Sequence, residues 1–375
     1  MKIGFDAKRA FNNRTGLGNY SRFVIKSLSD FYSENEYFAY TPKISDQFGN
    51  DFIPQIKDVK LILPENFIYK KLGGYWRSFH LDTLLQNDKI DIYHGLSNEL
   101  PSSSKTKKYQ SIVTIHDLIF LRYPELYPFI DRKIYNWKFK NACISADKII
   151  AVSSITKEDI IKHYQISPNK IYLSSMSCSS RFFKKYNNQE KENILKKYNI
   201  KDDFLLCVAT LEERKNQMLI IKAIKLLSKE NTPKLVLVGR KTKYVERLLY
   251  YIDKENLQSR VQLIHNVDNV DLPAIYQSAS IFIYPSVYEG FGIPILEAMQ
   301  SGVPIITTEK TTMQEIGQDA CLYCNPNDEN LLASQIKQLL SSKTLQKELI
   351  SKGNERVKKY SPEVIVKELM EIYMR

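Results

Sequence analysis

The feature that most constrains this chain is a regular alternation of short apolar runs with longer amphipathic stretches. In the first half, residues 2–6, 90–94, 111–116 and 148–152 read as buried strands. Residues 19–31, 75–86 and 129–146 read as helices. A second series follows Arg181, with strands at 204–210, 235–239, 261–265, 281–285 and 304–308 and helices at 217–229, 243–255 and 294–301. Strands that alternate with helices of this length belong to parallel sheets covered on both faces, since a parallel connection needs a crossover. The length of 375 residues exceeds the roughly 100–200 of one domain, so two Rossmann-like α/β domains are expected. Serine and asparagine cluster at 174–188, where the apolar periodicity lapses, which marks a boundary. The domains are accordingly placed at 1–180 and 181–360, with 361–375 a terminal helix packing back on the first. Ligands of parallel sheets bind beyond the C-terminal strand ends. The chemistry is therefore expected in loops after strands, on both sides of a cleft.

Composition narrows the class. A hydrophobic content of 43% with 26% charged residues excludes a disordered or collagen-like chain. No apolar run approaches the ~18–20 residues of a membrane span. The first acid comes at Asp6, before any signal-peptide stretch, so a cytoplasmic location is expected. Five scattered cysteines, an odd number, fit reduced thiols. The net charge of +12 is spread over the chain, with 25 basic against 18 acidic residues in 1–180 and 29 against 24 in the remainder. Such an excess suits an anionic ligand or surface. Nucleic acid, a phospholipid face and a nucleotide-bearing substrate all remain open on charge alone.

The most informative segment runs from Tyr284 to Met299, YPSVYEGFGIPILEAM. A strand enters a loop carrying Gly290 and Gly292, and a helix opens at Pro294, a residue suited to a first turn. The amides of Gly292 and Ile293 would lie at the positive end of that helix, an anion site suited to a diphosphate. Glu289 and Glu297 stand eight residues apart, one in the loop and one in the first turn. Carboxylates are acceptors suited to sugar hydroxyls. Two acids flanking a phosphate repel it unless each binds a neutral sugar at opposite ends of the ligand. That arrangement describes a nucleotide sugar, with Glu297 on the ribose and Glu289 on the transferred sugar.

This segment resembles the acidic E-x7-E signature of retaining glycosyltransferases of the GT-B fold, family 4, and the similarity extends over essentially the whole chain. The stretch LCVATLEERKN, residues 206–216, resembles the family motif in which a basic pair grips the donor diphosphate; here the pair is Arg214 and Lys215. Ala209 stands where glycine is commoner. Segments 271–286 and 302–308 also match. The resemblance implies two Rossmann-like domains with C-terminal helices, retention of anomeric configuration, and a donor site that includes Gly290, Phe291 and Leu296, with backbone near Val267 at the base. Gly16 and Gly18, after the first strand, resemble the family's first glycine loop, and a tight turn explains them equally well. His116-Asp117, closing a strand, resembles a motif near the reacting sugar. His116 would contact the sugar or phosphate and Asp117 would orient the acceptor; the alternative is a capping aspartate beside a satisfied histidine.

No cofactor is implied beyond the donor, and no metal is expected. No Asp-x-Asp triplet occurs, and Cys321 and Cys324 lack a second pair at zinc spacing. Basic and helix-end groups can neutralise a leaving diphosphate instead. Basic and aromatic residues intermix at 69–77, 105–109 and 122–140, which suits a peripheral contact with an anionic membrane, and equally a solvated basic face over an aromatic core. The acceptor would then be a glycan or a polyprenyl-diphosphate-linked glycan of bacterial surface polysaccharide. The motifs resemble those of mannosyltransferases, favouring GDP-mannose, with UDP-hexose and deoxyhexose donors open. Alternatives are a nucleotide-sugar epimerase of the same fold, a silent sugar-binding homologue, and a basic nucleic-acid-binding protein. The last would leave the acidic signature idle, and no nucleic acid is expected as a partner.

Overall fold

The computed structural model describes residues 1–45, 51–56, 58–66, 69, 72–101, 107–201, 203–228 and 232–375. Lys70, Lys71, Lys105 and Thr106, which belong to the basic-aromatic stretches, lie outside the described residues. The chain divides into two units. Unit 1 is Met1–Ser177 with Pro362–Arg375, and unit 2 is Cys178–Ser361.

Unit 1 is built on β1 Lys2–Asp6, β2 Glu36–Tyr40, β3 Val59–Ile62, β4 Ile92–Gly95, β5 Gln110–Ile115, β6 Lys148–Ala151 and β7 Ile171–Leu173. These form one parallel sheet in the order β3-β2-β1-β4-β5-β6-β7. Ile3 pairs with Tyr37 on one side and Ile92 on the other. Ile3, Phe5, Ile112, Val113, Ile149 and Ile150 are all fully buried, as central strands covered on both faces must be. Three of these strands were not anticipated. β2 and β3 begin on charged or isolated apolar residues, and β7 has only three residues at the sheet edge.

The expected helix at 75–86 is a composite: a single turn Gly73–Tyr75, a π-helical stretch Trp76–His80, and Leu81–Asn87. The π turn rotates Trp76 and Arg77 inward, where Arg77 pairs with Asp6 and, at 3.3 Å, with Glu99. These two residues therefore do not contribute to a basic-aromatic surface. Within 122–140, Tyr127 and Phe139 are half-buried edge-on to Phe120, Tyr135 packs against the same ring while remaining exposed, and Phe129 and Trp137 are exposed. The last helix, Pro362–Met374, belongs to unit 1. Its Tyr373 hydroxyl is 2.6 Å from His94 Nδ1 on β4, and Lys148 Nζ donates to the Ile372 carbonyl at 2.7 Å.

Unit 2 contains β8 Phe204–Val208, β9 Lys234–Val238, β10 Val261–Ile264, β11 Ile281–Tyr284, β12 Ile305–Thr308 and β13 Cys321–Cys324. They form a parallel sheet in the order β10-β9-β8-β11-β12-β13. Renumbered within the unit this is 3-2-1-4-5-6, the doubly wound order whose direction reverses between β8 and β11. The helix after β8 is shorter than expected, Gln217–Leu226. A charged helix, Asn188–Lys197, opens where the periodicity lapses, fixed by a capping box between Asn187 and Glu190. The tail is helical as expected, at Glu329–Ser341 and Lys343–Val357. The five cysteines are buried and free, and burial pushes each thiol up to about 12. Among the described residues, no helix is long and apolar enough to cross a membrane.

Candidate functional site

The reversal of strand order in unit 2 brings together the loops after β8 and β11, and both carry charged residues. After β8 the chain makes a 3-10 turn, Glu213–Lys215, and leaves it through Asn216 in the left-handed region at φ 57°. That turn presents Arg214 and Lys215 toward the neighbouring loop. The Val287 amide donates to the Arg214 carbonyl at 2.9 Å, stapling the two loops. At the end of β9, Gly239 is required because a Cβ there would lie 1.7 Å from the carbonyl oxygen of Ala209.

Four donors converge on one oxygen of Glu289. Lys215 Nζ makes a short ion pair with Oε1, and Arg214 Nη1 lies 3.0 Å from it. The Tyr284 hydroxyl donates to it at 2.9 Å and Ser286 Oγ at 2.6 Å. Lys215 also donates to the Tyr284 hydroxyl at 2.9 Å, and Arg214 to the Tyr288 carbonyl at 2.6 Å and to Glu212 at 2.7 Å. Burial alone would raise the Glu289 carboxyl, but Lys215 and Arg214 outweigh it and hold the group at about 2. Burial lowers Lys215, while Glu289 and Glu212 raise Arg214 against burial. Glu289 is thus a fixed carboxylate that neutralises the two cations expected to grip a diphosphate.

Glu297 is in a different state. It lies at the fifth residue of the helix Ile293–Ser301, one position beyond the first turn in which it was expected. Its Oε2 accepts from the Tyr276 hydroxyl at 3.0 Å. Burial pushes its carboxyl up to about 7, with Tyr276 and Arg181 pulling only weakly the other way. The helix begins one residue earlier than read, at Ile293, so Pro294 is its second residue. Gly292 caps it at φ 129°, a conformation that disfavours any side chain. Gly290, Phe291 and Leu296 are buried, with the Phe291 ring edge-on to Tyr360 at 6.0 Å. Val267, after β10, is half-buried beside Asn266 at φ 61°.

In unit 1 the glycine pair lies inside a helix rather than a loop. The helix runs Gly16–Phe31 after Thr15, and a short helix, Lys8–Asn12, intervenes after β1. Gly18 is buried, and a Cβ there would lie 1.9 Å from the Asn13 carbonyl oxygen; its requirement is internal. Gly16 is exposed with open space around it. His116 follows β5. Its Nε2 is 2.9 Å from the Leu96 carbonyl oxygen, its ring lies edge-on to Tyr20, and burial pushes the imidazole down to about 4. The ring is therefore neutral, with Nε2–H donating to Leu96. Asp117 Oδ1 accepts from the Ile119 amide at 3.2 Å, which caps the short helix Ile119–Arg122.

The sequence reading missed Tyr284, Ser286 and Tyr276, although Tyr284 and Ser286 are two apart on an extended segment and so share a face. Among the described residues no three His, Cys, Asp or Glu side chains cluster as metal ligands.

Two parallel-sheet units of this kind, the second with a cation pair and paired acids at its switch point, define a glycosyltransferase of the GT-B fold. The model of glycosyl transferases group 1 matches residues 190–356, and that of glycosyltransferase family 4 matches residues 24–174. The chain belongs to this family. It is 30% identical over 384 residues to O-antigen chain mannosyltransferase B of Escherichia coli, covering 96% of each chain. It is 29% identical to the O-antigen chain mannosyltransferase RfbU of Salmonella typhimurium over 60% of each. Among solved structures, Anabaena HepE in complex with UDP and glucose superposes with a TM-score of 0.77 at 15% identity, covering 100% of this chain and 99% of that one. This last likeness concerns the fold.

Proposed function

We propose that this glycosyltransferase transfers mannose from GDP-mannose, with retention and without a metal, to a glycan or polyprenyl-diphosphate-linked acceptor at an anionic membrane surface. The observation that carries the reading is the convergence of Arg214, Lys215 and Glu289 at the switch point of unit 2. The names of the two O-antigen relatives favour mannose and a surface-polysaccharide acceptor.

Two adjacent phosphates suit an arginine beside a lysine. The incoming diphosphate competes with Glu289 for Arg214 Nη1 and Lys215 Nζ, while the amides of Gly292 and Ile293 offer further donors at a helix start. Glu289 keeps its two neutral donors, Tyr284 and Ser286, and its carboxylate turns to the hydroxyls of the sugar. Glu297 accepts from the ribose. Charge developing on the departing phosphate is met by preorganised donors, each worth roughly 10²–10³ in rate. Attack comes from the face of the leaving phosphate, which takes the acceptor's proton, and Glu289 acts as a binding group rather than a nucleophile. His116, neutral, contacts the transferred sugar or the phosphate, and Asp117 orients the acceptor.

Thermal unfolding with GDP-mannose, UDP-glucose, dTDP- and ADP-sugars, with and without EDTA, tests the donor. At 100 times Kd, a ligand that binds only the native state adds about 2.7 kcal/mol. GDP-mannose alone should stabilise the protein, EDTA should change nothing, and Lys215→Ala should abolish the effect. Stabilisation by a uridine sugar instead overturns the donor assignment, and a mannosylated Glu289 peptide overturns the mechanism.

A further inference from the structure

A row of buried polar side chains runs through unit 1 and ends at His116. The Tyr373 hydroxyl, on the helix Pro362–Met374, is 2.6 Å from His94 Nδ1. His94 Nε2 is 2.7 Å from Thr114 Oγ1, and the Tyr20 hydroxyl is 3.0 Å from the same oxygen. Tyr20 then sets its ring edge-on to the His116 imidazole, with 4.7 Å between the ring centres. Thr114 and His94 are fully buried, and Tyr20 and Tyr373 nearly so. Burial pushes the His94 imidazole down to about 3, so the neutral ring donates through one nitrogen and accepts through the other.

Thr114 reaches His116 by a second route. Its carbonyl accepts from the Asn98 amide at 3.0 Å, and Asn98 Oδ1 accepts from the His116 amide at 2.8 Å. With Nε2–H committed to the Leu96 carbonyl, the imidazole keeps a bare Nδ1 as its acceptor, and the plane of the ring decides where that lone pair points. Buried polar groups are costly unless each is bonded, and apolar side chains of the same shape would fill this space without that cost. What the row supplies is orientation, since linked hydrogen bonds stiffen one another.

We propose that Tyr20 and Thr114 are positioning residues for His116. Thr114 fixes the Tyr20 ring, that ring fixes the plane of the imidazole, and His94 and Tyr373 anchor the row on the last helix. The inference rests on the reading of His116 as a group at the transferred sugar or the phosphate. Both positioning residues are buried and act through His116 alone. A small misplacement of such a group costs up to about 10²-fold in rate.

Thr114→Val and Tyr20→Phe remove the same hydrogen bond from its two ends with little change of shape. Hydrolysis of GDP-mannose by the full chain, with water as acceptor and GDP and mannose as products, gives kcat and KM without an added glycan. Each variant should lose about 10-fold in kcat, with KM changed by less than about twofold. The double variant should lose no more than either alone, and Thr114→Ser, which keeps the hydroxyl, should restore the parent's rate. NMR of the protein carrying isotope-labelled histidine reads the ring itself. His116, identified by the signal missing from His116→Gln, should show one protonated and one bare nitrogen in the parent. In Thr114→Val and Tyr20→Phe the two nitrogens should be drawn together as the loosened ring mixes its tautomers. A kcat within about twofold of the parent in both variants, or losses that multiply in the double variant, overturns the proposal. An unchanged His116 signal overturns it as well. If the parent does not hydrolyse GDP-mannose, the donor reading fails, and the His116 signal decides the positioning by itself.

Discussion

Glu289 and Glu297 stand eight residues apart in one motif, yet their surroundings drive them in opposite directions. Glu289, held at about 2 by its cations, has a folded value below its unfolded one. Its contribution to stability is present above the unfolded carboxylate range and is lost as pH falls toward 2. Glu297, raised to about 7 by burial, has the reverse sign and favours the folded state less as pH rises from the unfolded value through 7. A ribose bound to its ionised form should therefore bind more tightly as pH rises to about 7 and then level off. Calorimetric titration of GDP from pH 5.5 to 8.5 should show this rise, by up to about tenfold per pH unit below the midpoint, and Glu297→Gln should flatten it. Ser286→Ala removes one neutral donor from a carboxylate, an interaction worth ~1.5–3 kcal/mol. Transfer rates should fall roughly 10- to 100-fold with the donor KM little changed; an unchanged rate would show that Tyr284 suffices. The two acids and the two cations were legible in the sequence. Their mutual pairing was not, because it depends on which strands are neighbours: β8 and β11 meet in the sheet although 72 residues separate the ends of those strands at Val208 and Ile281, with β9 and β10 between.

At the scale of elements, continuous apolar runs located the central strands β1, β5, β6, β8, β9 and β11 within a residue or two. The edge strand β10 was also located, but β3, β7 and β13 at the other edges escaped, as did β2 beside β3: an edge strand needs less burial, β7 has three residues, and β13 begins and ends on cysteine. The helix Leu272–Ser278 also escaped, as seven residues hold barely two turns to read a period from. The capping pair Asn187 and Glu190 was present in the sequence as an N-x-x-E signal. The glycine pair illustrates two requirements within one element. Gly18→Ala drives a methyl group into the Asn13 carbonyl and should lower stability by ~1–3 kcal/mol. Gly16→Ala should leave stability nearly unchanged. Chemical denaturation of both variants measures the difference, and equal effects would refute the steric argument.

At the scale of the molecule, unit 1 is finished by the segment Pro362–Arg375, which follows the whole of unit 2 in the chain. The helix Pro362–Met374 buries Ile365, Leu369 and Tyr373, and its Tyr373 hydroxyl is a partner of His94, a buried imidazole pushed down to about 3 and hence neutral. Tyr373→Phe leaves that ring nitrogen without this partner and should cost ~1–3 kcal/mol. Removal of residues 362–375 should lower the unfolding temperature of unit 1, while the stabilisation by GDP-mannose proposed for the site of unit 2 should persist. Loss of both together would mean that the units unfold as one.

This order of the chain has a consequence for synthesis. Unit 2 has all its strands once residue 361 has left the ribosome, whereas the earlier unit still lacks the helix that covers His94. The second unit to be made can be the first to be completed, and until residues 362–375 emerge the apolar surface that receives them is open to other chains. A nascent chain stalled before residues 362–375 have emerged should therefore be a client of chaperones through residues 1–177.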